Sequence, residues 1–87
     1  MENLDLEAIR SRIDKIDAQL IAALEERLEA VLEVAAYKKQ HGLPVLDAAR
    51  EAKVLEKACA RLQHQEYAPA AAAMMKTIME QSKALEH

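Results

Sequence analysis

Five charged side chains of this sequence could together bind a small molecule that carries carboxylates. They are Arg10, Arg27, Lys38, Arg50 and Glu51. Arg27 and Lys38 are eleven residues apart, and in a helix this spacing returns to within about 20° of the same face. A cation on an otherwise apolar stripe costs several kcal/mol unless it meets an anion. We therefore expect a negatively charged group between Arg27 and Lys38.

The helical spacing also separates Arg10 from the other two cations of the same segment. The α-carbons of Arg27 and Lys38 would lie about 16 Å apart along the helix axis, which leaves room for a small molecule that carries one or two carboxylates. Arginine offers planar bidentate contacts to such a group, and lysine offers a point charge. Arg10 stands seventeen residues before Arg27 and is rotated by about 100° onto another face. In a pair of long helices that face can point toward a cavity of the partner.

Two further groups of polar residues have helical spacing. Asp47, Arg50 and Glu51 fall within one turn, and Ser82 and Glu86 are four residues apart. Residues three or four positions apart share one face of a helix. Together with the cations, these groups favour a pocket for a dianionic, hydroxylated metabolite.

Each of these residues also has a simpler explanation as a surface charge. Arg10 could pair with Asp14, and Arg27 could be solvated among its acidic neighbours. Lys38 could offset the negative end of a helix dipole. Arg50 could lie on an exposed first turn. The coincidence of all of them in one chain argues against these explanations.

The elements that must position these side chains are three helices, expected over about residues 5–40, 47–63 and 69–86. The first has apolar residues at steps of three and four, a helical period, at Ile9, Ile13, Ile16, Leu20, Leu24, Leu28, Val31 and Ala35. Gly42 suits the left-handed position that ends it. Asp47 can cap the second helix, and Pro69 suits the first turn of the third. No segment alternates as a strand does, so the fold class is predicted to be all-α, in one domain over residues 1–87.

The length of the first helix predicts an oligomer. Some 36 residues give a helix of about 54 Å, whereas a compact chain of this size has a radius of gyration of only about 12 Å. The apolar stripe would be uncovered in a monomer. We therefore expect an intertwined homodimer of three-helix protomers, in which the long helices pair.

Composition excludes several classes of function. The chain has 87 residues and a net charge of −3, which argues against binding to nucleic acid or to an anionic membrane. The single cysteine cannot form an internal disulfide, and neither a signal peptide nor a membrane-spanning run is evident, so a cytoplasmic location is expected. The three histidines lack metal-ligand spacing, and one glycine cannot build a phosphate loop. No metal and no cofactor are expected.

The order of motifs resembles a known family. The segments RSRIDKIDAQLIAALEERLE, LPVLDAAREAKVLEK and MEQSKALE are similar to the all-helical class of chorismate mutases, of the small bacterial kind, over nearly the whole chain. The resemblance implies an isomerase, an intramolecular transferase without a cofactor. Its members rearrange chorismate to prephenate, in the shikimate pathway toward phenylalanine and tyrosine. It also implies an intertwined homodimer with two equivalent sites.

The resemblance assigns the substrate-binding residues. Arg10 from the partner protomer, together with Arg27 and Arg50, would hold the two carboxylates of chorismate. Glu51 and the backbone near Asp47 would contact the ring hydroxyl.

It also assigns two catalytic residues, Lys38 and Glu86, and places Ser82 near a carboxylate. Lys38 would contact a carboxylate and the ether oxygen, and position 86 would supply a second donor to that oxygen. Many bacterial relatives have Gln at position 86, whereas a glutamate donates only when protonated. An acidic activity optimum is therefore expected. Leu85, Glu86 and His87 also match the start of a vector-encoded histidine tag, which leaves the origin of Glu86 open.

Two other functions remain open on the sequence. Isochorismate-pyruvate lyases share the fold and the cationic pocket, but they tend to lack the glutamate found here at Glu51. A non-catalytic helical dimerisation module is the other alternative. In such a module Arg27 and Lys38 would be surface charges whose replacement scarcely matters.

Overall fold

The computed structural model describes residues 4–86. Its elements are α1 (Leu6–Gln40), α2 (Ala48–Ala60), a 3₁₀ turn (Gln65–Tyr67) and α3 (Ala68–Leu85). Within these described residues there is no β-strand, so the all-α prediction is confirmed. None of the helices in this part of the chain is long and apolar enough to cross a membrane.

Aspartates begin the first two helices. At the start of α1, Asp5 Oδ1 accepts a hydrogen bond from the backbone N–H of Glu7 at 3.0 Å. At the start of α2, Asp47 Oδ1 accepts one from the backbone N–H of Arg50, also at 3.0 Å. Each carboxylate satisfies an amide that has no partner within its helix. The expected cap at Asp47 is confirmed.

The first helix ends close to Gly42, as the sequence predicted. Gly42 has a φ of 65°, a left-handed conformation that costs a glycine little. The turn lets the backbone N–H of Leu43 donate to the carbonyl oxygen of Lys38 at 2.8 Å. The chain therefore folds back over the last turn of α1, which is where Lys38 lies.

The second helix is shorter than predicted. It ends at Ala60, whereas the sequence pattern extended it to Gln63. The side-chain amide of Gln65 donates to the carbonyl oxygens of Cys59 and Leu62, at 2.9 and 3.0 Å. These bonds satisfy the Cys59 carbonyl in the last turn and the Leu62 carbonyl just beyond the helix, and they thereby stabilise its early end.

The chain divides into two compact units, Met1–Ala30 and Val31–His87. The described part of the first unit is almost entirely helix, and its apolar stripe is uncovered: Ile13, Ile16 and Leu20 are between 48% and 55% exposed. In the second unit α2 packs against α3. Met79 and Ser82 of α3 are the buried residues of the described chain.

Candidate active site

Lys38 is fixed in the last turn of α1 by a hydrogen bond to the following loop. Its Nζ donates to the carbonyl oxygen of Val45 at 2.8 Å, and its side chain is only 19% exposed. The backbone of Lys38 also holds this loop, through the bond from Leu43. The ammonium group is therefore both partly desolvated and held in one position.

Glu86 faces Lys38 from the C-terminal end of α3. Glu86 Oε1 lies 3.6 Å from Lys38 Nζ, and the Glu86 side chain is only 6% exposed. The same oxygen is buried without a hydrogen-bond partner among the residues described. A buried polar atom without such a partner is costly and needs an explanation. An ion pair at this distance compensates the charge but supplies no hydrogen bond to the oxygen.

A cavity of about 440 Å³ opens beside this pair. Its size falls within the range of small-molecule sites. It is lined by Ala35, Ala36, Lys38, Lys39, Leu43, Val45 and Glu86. Two lysines and one carboxylate give this lining a formal charge of about +1 when all three are ionised. The cavity therefore favours an anionic ligand with an apolar body.

Glu51 belongs to a different pair. Its Oε2 lies 3.0 Å from Lys83 Nζ, and the two side chains are 29% and 31% exposed. The pair joins α2 to α3 beside a smaller cavity of about 220 Å³. The sequence pattern gave Lys83 no role, whereas the structure pairs it with Glu51 and leaves its side chain about two-thirds buried. The signal for its position was present, because Lys83 follows the buried Met79 by four residues and shares its helix face.

Ser82 is buried on the inner face of α3. Its Oγ donates to the carbonyl oxygen of Ile78 at 2.6 Å, and only 5% of the residue is exposed. Ser82 and Glu86 both have buried side chains. The two residues therefore lie on the same, inner side of α3, as their spacing predicted.

Asp47 and Arg50 stand at the start of α2. The Asp47 carboxylate is engaged in the helix cap, and both residues are exposed. Neither lines the cavity beside Lys38. Their assignment to the substrate stays a prediction.

Arg10 and Arg27 lie in the first unit, whereas the six other predicted site residues lie in the second. The Arg10 guanidinium is exposed and lies 3.4 Å from Glu7 Oε1. The simpler explanation of Arg10 as a surface charge therefore involves Glu7 rather than Asp14. Arg27 is half-buried on α1.

The second unit therefore contains a lysine whose ammonium group is fixed in position, a buried carboxylate, and a cavity large enough for a small organic anion. Among residues 4–86 no group of three or more side chains could hold a metal ion. The arrangement can orient an anion and stabilise negative charge that develops beside Lys38. A family model described as chorismate mutase type II matches residues 9–87.

The chain belongs to the chorismate mutase type II family. The match includes all eight residues singled out above. The resemblance inferred from the sequence motifs is thereby confirmed.

Curated relatives match a little more than half of the chain. The T-protein of Haemophilus influenzae is 43% identical over 51 residues, which are 59% of this chain and 14% of that protein. A 3-dehydroquinate dehydratase of Pyrobaculum aerophilum is 42% identical over 53 residues, or 61% of this chain and 18% of that protein. A 4-amino-4-deoxychorismate mutase of Streptomyces pristinaespiralis is 39% identical over 49 residues, which are 56% of this chain and 38% of that protein. The chain thus spans well under half the length of these relatives.

A solved structure matches almost the entire chain. It is a conserved hypothetical protein from Pyrococcus furiosus, 34% identical in sequence, with a TM-score of 0.78. The match covers 94% of this chain and 95% of that one.

Proposed function

We propose that this protein is a chorismate mutase, which converts chorismate to prephenate by an intramolecular [3,3] rearrangement. One observation carries the proposal. The Nζ of Lys38, which would contact the ether oxygen, lies 2.8 Å from a loop carbonyl oxygen and 3.6 Å from Oε1 of the buried Glu86. A cavity of about 440 Å³, large enough for a small organic anion, lies beside the two residues.

The reaction requires little chemistry from the protein. It is unimolecular and needs no nucleophile, so catalysis reduces to selecting the compact, chair-like conformer and stabilising the charge that develops. As the C–O bond breaks, negative charge grows on the enolpyruvyl oxygen. A fixed ammonium at Lys38 interacts more strongly with this oxygen in the transition state than in the substrate, which lowers the barrier.

Glu86 is the second catalytic residue of the proposal. Glu86 lines the same cavity as Lys38, and its Oε1 has no hydrogen-bond partner among the residues described. A carboxylate there would repel the developing oxyanion, whereas the protonated acid donates a hydrogen bond to it. The charged groups that line this cavity with Glu86 are Lys38 and Lys39.

The remaining residues would bind the substrate. Arg27 and Arg50, with Arg10 from a partner protomer, would hold the two carboxylates, and Ser82 would lie near one of them. Glu51, with the backbone near Asp47, would contact the ring hydroxyl. Arginine suits the carboxylates because its fork binds both oxygens of one group.

We propose that the active form is an intertwined homodimer. The uncovered Ile13, Ile16 and Leu20 of the first unit support it, because a continuous exposed apolar stripe is typical of an interface. A second copy would cover this stripe and bring Arg10 to a site that this chain alone does not complete. The product would enter phenylalanine and tyrosine biosynthesis in the cytoplasm.

One relative suggests a second substrate. The Streptomyces pristinaespiralis protein is named a 4-amino-4-deoxychorismate mutase, and its substrate carries an amine where chorismate carries the ring hydroxyl. We propose chorismate as the substrate here, because Glu51 already pairs with the cation of Lys83. The lyase and the non-catalytic module are disfavoured, since both the family model and this relative are described as mutases.

Replacing Lys38 by alanine tests the proposal. We expect the parent protein to consume chorismate, followed by loss of its diene absorbance, with prephenate as the product. Lys38→Ala should lower kcat/KM by about 10³ or more, because one preorganised donor contributes about 10²–10³ and Lys38 serves two oxygens. Lys39→Ala is the matched control. It changes a neighbouring, exposed lysine of the same cavity and should cost less than about tenfold.

The absence of chorismate turnover by the parent would refute the mutase proposal. Pyruvate release from isochorismate would point to the lyase instead. Full activity of Lys38→Ala would refute the role of Lys38 alone.

The pH dependence tests Glu86. If only the protonated acid donates to the ether oxygen, kcat/KM should fall as pH rises between about 5 and 8. Glu86→Gln supplies a donor at every pH and should flatten the profile. The assay compares both proteins over that range in buffers of constant ionic strength. A flat profile for the parent would contradict the assignment.

Mixing two inactive variants tests the shared site. Arg10→Ala and Lys38→Ala protomers, unfolded together and refolded, should recover about a quarter of parent activity, because half of a random mixture is heterodimeric and each heterodimer has one intact site. Each variant refolded alone is the control. No recovery in a mixture that contains heterodimers, or a compact monomer in sedimentation, would contradict the shared site.

A further inference from the structure

We propose that Lys83 is a specificity-determining residue, which makes the site accept a neutral hydroxyl at the ring and reject a cationic amine. The inference rests on the proposed function, in which Glu51 contacts the ring substituent. Lys83 acts through Glu51, so it is a positioning residue rather than a catalytic one.

The geometry ties the two side chains closely. Lys83 Nζ on α3 lies 3.0 Å from Glu51 Oε2 on α2, and both side chains are about two-thirds buried. Charges in such a position are screened less than charges at an open surface. Two other charged residues, Lys76 and Glu80, line the same cavity, and both are exposed. Lys83 is therefore the cation that sets the charge environment of Glu51.

The chemistry of the pair distinguishes the two substituents. A carboxylate has two oxygens and about four acceptor positions, so Glu51 can accept from Lys83 and from a hydroxyl at the same time. A hydroxyl brings no charge, and the pair stays balanced. An aliphatic amine is protonated at neutral pH, as a lysine is. It would therefore compete with Lys83 for one carboxylate and would be repelled by the ammonium group.

A purely structural role for Lys83 would have a different consequence. If the pair only fastened α3 to α2, its loss would lower the turnover of every substrate by the same factor. The ratio of kcat/KM for two substrates would then stay constant. This ratio is also independent of the fraction of protein that is correctly folded, so partial misfolding of a variant does not change it.

The experiment measures kcat/KM for chorismate and for 4-amino-4-deoxychorismate. We expect Lys83→Met to shift the ratio by about tenfold or more toward the amine, because an unpaired Glu51 favours a cation. Lys83→Arg keeps the charge and should retain the parent ratio. Lys76→Met is the matched control, since it removes a lysine of the same cavity that is not paired with Glu51. It should leave the ratio unchanged.

A second arm tests whether Lys83 acts through Glu51. In a Glu51→Gln background, Lys83→Met should no longer shift the ratio toward the amine. An unchanged ratio for Lys83→Met in the parent background would overturn the role of Lys83, while the mutase proposal would stand on its chorismate activity. Turnover of neither substrate by the parent would overturn both.

Discussion

The ion pair between Lys38 and Glu86 is the interaction on which the rest of the site depends. It brings the end of α1 to the end of α3, and it holds a cation beside a buried carboxylate oxygen that has no hydrogen-bond partner within residues 4–86. Without a ligand, each charge compensates the other. A dianionic ligand would replace Glu86 as the partner of Lys38. Binding and catalysis would then use the same two side chains.

Local backbone features make this pair possible. The left-handed Gly42 turns the chain back, and the loop that follows supplies the Val45 carbonyl that holds Lys38. Asp47 then starts α2 within a few residues. The second pair, Glu51 with Lys83, links α2 to α3. The charged residues of the site thus lie at the ends of helices. At these positions they do not have to be buried in an apolar core.

Much of this could be predicted from the sequence, because it depends on local rules. The helical period predicted α1, Gly42 predicted where it ends, and Asp47 predicted the cap of α2. The spacing of Ser82 and Glu86 placed both on an inner face. The early end of α2 and the Glu51–Lys83 pair escaped prediction, because they depend on contacts between segments that no periodicity specifies. The pairing of protomers and the substrate roles of the arginines stay predictions, since they require a second chain and a ligand.

Binding of a ligand that resembles the transition state is the sharpest test of the Lys38 site. The ligand would be a stable bicyclic dicarboxylate shaped like the chair-like transition state, and calorimetry would measure its dissociation constant for the parent, for Lys38→Ala and for the control Lys39→Ala. We predict that Lys38→Ala binds this ligand about 10²-fold or more weakly than the parent, and that Lys39→Ala binds it less than about tenfold more weakly. Equal affinities of the parent and Lys38→Ala, or equal losses in the two variants, would contradict the role given to Lys38.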